Sequence, residues 1–154
     1  ADRARELLEP AAKAGVKRPA ALATLARLRL AEATAKSTAN GKLGPAQVAA
    51  VLTPLFEARK LPPPLPETYE LIAAAWSQSA TTPTPENLAV LDEGIRAFPR
   101  DSGLLLDATR LYKQAGAAQT AASVARLGVR FSSDPTVRAN FEALLASLPP
   151  PPAK

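Results

Sequence analysis

Gly94-Ile95-Arg96-Ala97-Phe98 closes one apolar run, and Pro99-Arg100-Asp101 opens the next. Thirty-four residues after Gly94, Gly128-Val129-Arg130-Phe131 does the same, followed by Ser132-Ser133-Asp134-Pro135. A fixed period of this length is the mark of a chain built from repeated helix pairs, each unable to bury its apolar face except against a neighbour. The fold expected from this stretch is therefore all-α, with about four helix pairs stacked as an α-α superhelix.

Working outward, apolar residues recur at i, i+3, i+4 and i+7 along most of the chain, the spacing of one helix face. Tyr69, Ile72, Ala73 and Trp76 share a face over 66–79, and Leu88, Leu91, Ile95 and Phe98 over 85–98. Leu104, Ala108, Leu111 and Ala115 stripe the following helix, and Val124, Gly128 and Phe131 the one at 118–131. Val137, Phe141, Leu144 and Leu148 mark 135–148. Upstream, Val48, Val51, Leu52 and Leu55 give 45–59, Leu25 with Leu28 gives 19–35, and Leu7, Leu8 and Ala11 give 3–14. Pro45, Pro85 and Pro135 fall at first-turn positions, where a missing N–H costs nothing. Thr84 and Asp134 precede two of them as N-caps, and Gly116 is placed to end a helix. Asn40-Gly41 reads as a turn. Pro10 and Pro54 sit late in their helices and are expected to kink or end the regular ladder. No alternating β-branched run suggests a strand.

Composition excludes more than it indicates. The 154 residues contain no Cys and no His, which removes the usual ligands of structural zinc, the thiol nucleophile and the base of a Ser-His-Asp triad. Ala supplies much of the 47% apolar content while aromatics make up 5%, a balance suited to closely approaching helices. No apolar run is long enough to span a bilayer, so membrane insertion is not expected. The net charge of +5 is uneven: residues 1–60 carry eleven Lys/Arg against five Asp/Glu, and 61–154 carry eight against nine. That asymmetry suits an acidic partner. With no reader motif and little aromatic interleaving, nucleic acid is not expected. The chain also lacks Met, which points to a piece or processed product of something longer.

With these elements in place, the chain resembles the tetratricopeptide-repeat family. The best unit runs from about Ser102 to Pro135. Ala108 stands at the family's small-residue position, Leu111-Tyr112 at its Leu/Tyr site, and Gly116 near its turn glycine. Ala121 stands at the second-helix alanine, and Pro135 at the closing proline. The unit at 66–99 matches through Ala73, Trp76 and Pro99, with Ser79-Ala80-Thr81-Thr82-Pro83 in place of the glycine turn. Residues 66–148 carry the resemblance best. The repeat domain is expected over 1–148, with 149–154 a Pro-rich tail. The opening helix at 3–14 has no first helix before it, so a longer array or another domain is expected upstream.

What the resemblance implies is a non-catalytic scaffold that presents a concave groove to a protein or peptide, without cofactor or metal. In the family, the first helices of successive units line that groove. Carried over, this points to Leu105, Thr109, Tyr112 and Lys113 in the best unit. It points to Tyr69, Trp76 and Gln78 in the preceding one, and to Arg27 and Arg29 in the first. The aromatics sit on apolar stripes and have packing between helices as their competing role. The acidic pairs Glu67/Glu70 and Asp92/Glu93 have no nucleophile, Gly-rich loop or metal spacing beside them, and read as solvated faces. Two alternatives stay open: an accessory domain of a larger enzyme, and a structural module that associates with copies of itself. The compartment is left open.

Overall fold

In the computed structural model, Glu6, Glu9, Pro10, 18–37 and 41–149 are described. These residues form seven α-helices and no strand: α1 (Pro19–Lys36), α2 (Pro45–Ala58), α3 (Pro66–Ser77), α4 (Pro85–Ala97), α5 (Ser102–Gln114), α6 (Ala118–Phe131) and α7 (Pro135–Ala146). The chain is all-α, as expected. Each helix begins and ends within two residues of its expected boundary. Of the expected helix 3–14, Glu6, Glu9 and Pro10 are helical, and the rest lies outside the described residues. Contacts divide the chain into two compact units, one ending in sequence at Thr81 and the other beginning at Thr82.

In the first unit, α1 and α2 form a hairpin and α3 packs against both. Small residues allow the close approach: Ala23 and Ala26 of α1 are fully buried, as are Val51 and Leu55 of α2. All three helices start with proline at the first turn, and none has a side-chain oxygen capping its first N–H groups. Only the Gln47 side chain reaches back, its Oε1 accepting from the Gly44 N–H at 2.9 Å. Proline's fixed φ and missing N–H make the starts of these helices cheap without a cap.

The α1–α2 connection closes this unit. Leu43 is completely buried and extended. Its N–H donates to the Gln78 carbonyl at 2.7 Å, and its carbonyl accepts from Ala80 N–H at 2.9 Å. Together these make an isolated parallel bridge to Ser79. Lys42 Nζ donates to the Ser77 carbonyl at 2.8 Å, placing a cation on the C-terminal end of α3. Two residues of loop thus fasten the first hairpin to the end of the third helix.

Pro54 lies inside α2 and is buried. The helix continues past it to Ala58, so Pro54 does not end the ladder. A proline at this point deprives the carbonyl four residues back, that of Ala50, of its helical donor. Arg29 Nη1, reaching across from α1, donates to that carbonyl at 2.9 Å. The guanidinium replaces the bond that the proline removes.

The second unit follows the same plan with different joints. α5 and α6 form a hairpin, α7 packs on both, and α4 packs on α5. Here three of the four helices are capped by side chains. Thr84 and Asn87 cap α4 reciprocally, Asp101 accepts from Leu104 N–H at 2.9 Å, and Asp134 accepts from Thr136 N–H at 2.7 Å. The α5–α6 turn is a Schellman closure: Gly116 sits at φ +75°, its N–H donates to Lys113 O, and Ala117 N–H donates to Tyr112 O at 2.9 Å.

Gly128, the repeat glycine of the opening motif, has a packing reason. A Cβ on it would fall 2.3 Å from the Phe141 ring, inside any real contact distance. The ring of Phe141, fully buried, therefore lies directly on the α6 backbone. Phe141 is also the only residue of α7 that is buried; Val137, Leu144 and Leu148, on the same expected stripe, are partly exposed.

Candidate functional site

The residues expected to line a groove separate into three groups once placed. Tyr69, Leu105, Thr109 and Tyr112 are buried, at 2%, 1%, 0% and 4% exposure. Tyr69 packs in the core of the first unit and Leu105 in that of the second. Thr109 turns its hydroxyl back to donate to the Leu105 carbonyl at 2.7 Å, which satisfies it within the helix. Tyr112 joins α5 to α4: its single O–H proton is directed at Asp92 Oδ1, 2.5 Å away, with the Leu88 carbonyl oxygen 3.1 Å from the same hydroxyl. Burial, together with the Asp92 carboxylate, holds the phenol well above its ordinary pKa.

A second group is partly accessible but engaged in joining helices. Gln78 Oε1 accepts from Thr34 Oγ1 at 2.7 Å, while its backbone carbonyl receives Leu43 N–H. Arg29, besides serving Ala50, pairs with Glu9 at 3.4 Å. It borders a cleft of about 470 Å³ along α1 and α2, with Glu9, Glu32, Lys36 and Gln47 among its walls. Lys36 and Glu32 pair there at 2.5 Å, so the charges of this cleft answer one another. Trp76 is half-buried, with its indole Nε1 buried and without a protein acceptor.

The third group is exposed. Arg27 pairs with Glu67 at 2.6 Å, the arginine side chain largely in solvent and the glutamate partly so. Such a pair contributes little to stability and is readily exchanged for another carboxylate. Lys113 Nζ donates to Ser147 Oγ at 2.7 Å on the surface of the second unit. Arg27 in the first unit and Lys113 in the second are the expected groove residues with exposed side chains.

Sequence reading missed one cluster. Arg100 and Arg130 each stand over the ring of Phe131, at 5.6 Å and 5.5 Å from its centroid. Arg138 Nη2 donates to the carbonyl of the next residue, Ser132, at 2.9 Å. The signal was present in the opening motif, where Arg130-Phe131 stands beside the second turn, but nothing in it shows that Arg100 folds onto the same ring.

Among the described residues no group of three or more Asp and Glu side chains is placed to hold a metal ion. Nor is any described helix long and apolar enough to cross a membrane. Compared with models of protein families, with curated proteins and with solved structures, the chain finds no match in any of the three. What the fold defines by itself is a class: an all-α chain whose units are helical hairpins, each covered by the helix that follows.

Proposed function

We propose that the chain is a non-catalytic scaffold of the tetratricopeptide type that binds a protein or peptide along the first helices of its hairpins. The observation that supports this most is the recurring three-helix plan. α3 covers the α1–α2 hairpin as α7 covers the α5–α6 hairpin, which is how helix-pair repeats bury their apolar faces. In such a plan the first helices carry the accessible residues of the binding face. Arg27 on α1 and Lys113 on α5 are both exposed cations. An acidic partner is the complementary kind.

The test is capture of partners from source lysate by crosslinking, with wild type beside an Arg27→Glu/Lys113→Glu variant. Both substitutions lie on exposed side chains, and circular dichroism verifies that the variant folds. A partner held by wild type and lost from the variant supports the assignment. A partner held equally by both, or no partner at all, overturns it.

A further inference from the structure

We propose that the α6–α7 corner of the second unit is a recognition site for a short acidic peptide segment. Its cationic surface is Arg100, Arg130 and Arg138 gathered about Phe131. This surface includes none of the first-helix residues discussed above, and it stands or falls separately from them.

The argument begins with charge. Five cations of this chain stand beside a carboxylate: Arg27 with Glu67, Arg29 with Glu9, Lys36 with Glu32, Lys60 with Glu57, Arg110 with Asp107. Arg100, Arg130 and Arg138 have none among the described residues. All three are exposed. Because Arg100 and Arg130 share one ring, their guanidinium carbons are no more than about 11 Å apart. That separation is comparable to the screening length of about 8 Å at physiological salt. Like charges held this close, none of them in an ion pair, favour an anion from outside.

Geometry adds to charge. The Phe131 ring attracts both cations through its face and limits the rotamers they sample. A guanidinium lying against a ring keeps its N–H edge free, and that edge matches a carboxylate in bidentate fashion. Arg138 is held by its bond to the Ser132 carbonyl, which leaves its remaining donors available. Ordering long side chains before binding lowers the entropy cost of association. Two or three closely spaced carboxylates on an extended segment fit this arrangement.

The same observations argue against a nucleic acid. Over residues 82–154 eight Lys/Arg face seven Asp/Glu, so the unit has almost no net charge to attract a polyphosphate. The patch suits a few carboxylates and ends there.

The experiment titrates the isotopically labelled chain with an acetylated, amidated Glu/Asp hexapeptide, and with its Gln/Asn counterpart, followed by amide and arginine side-chain NMR. The proposal expects saturable shifts centred on Arg100, Phe131, Ser132 and Arg138 with the acidic peptide, weakening as salt rises, and none with the neutral one. Arg100→Gln/Arg130→Gln is expected to weaken binding tenfold or more. Phe131→Leu should weaken it severalfold while keeping all three charges, and Arg110→Gln, at a compensated pair, should leave it unchanged. No saturable shift, or equal binding by the double variant, overturns the proposal. So does tighter binding of a single-stranded oligonucleotide of equal charge at the same residues.

Discussion

The two units bury similar hairpins by different means. The first, α1–α3, begins its helices with proline and no side-chain cap, and closes its hairpin through a buried loop residue, Leu43, bonded to the far end of α3. The second, α4–α7, caps three of its four helices with Thr84, Asp101 and Asp134, and closes its hairpin with Gly116. One unit relies on contacts distant in sequence, and the other on contacts within a turn. The difference teaches that one three-helix plan tolerates either kind of joint, provided the helix faces pack.

If that contrast is right, the largest loss should come from Leu43. Truncating a fully buried leucine to alanine costs about 2–5 kcal/mol. Leu43→Ala should lower the urea midpoint reported by the single tryptophan, Trp76, which lies in the first unit. An unchanged midpoint would mean the bridge merely accompanies packing decided elsewhere.

Next comes Gly128. Alanine there gains about 1 kcal/mol of helix propensity. It also drives a methyl into the Phe141 ring, an overpacking that costs about 1–3 kcal/mol. Gly128→Ala should therefore speed amide exchange in α6 and α7. Slower exchange would show that the ring yields freely and that this contact is not what holds α7.

The caps sharpen the comparison directly. Asp101→Ala and Asp134→Ala should each destabilise the second unit by about 1 kcal/mol. Arg18→Ala, at the uncapped start of α1, should change the first by less than about 0.5 kcal/mol. Amide exchange in α5, α7 and α1 measures all three, and equal effects would erase the distinction between local and distant joints.

The smallest effect is the most specific. If Arg29 replaces the donor that Pro54 removes, Arg29→Met should cost more beside Pro54 than beside alanine at that position. A double-mutant cycle with Pro54→Ala should give a coupling of about 0.5–1.5 kcal/mol, one hydrogen bond's worth. Additive effects would mean that Arg29 is held by Glu9 alone.

Much of the second unit was legible in the sequence because its signals are local. Thr84, Asp134, Gly116 and the first-turn prolines act within one helical turn, and each does what its position implied. The first unit hid its joint: Leu43 sits in a stretch rich in Lys, Thr, Asn and Gly, with no strand pattern around it. One bridge between residues thirty-six apart leaves no periodicity to detect. Among the expected groove residues, helical spacing placed Tyr69, Leu105, Thr109 and Tyr112 on their helices without telling which side faces a neighbour.

By itself, then, the sequence determined that the chain is helical, where the helices from Pro19 onward start and stop to within two residues, and which stripe of each is apolar. Hydrogen bonds within a turn and the 3.6-residue period are enough for that. Only the tertiary structure decided that Arg29 serves the Ala50 carbonyl, that Tyr112 fastens α5 to α4, and that Arg100 and Arg130 meet on one ring. Those pairings depend on which faces of separate helices come together, and long side chains reach their partners only after that packing is made.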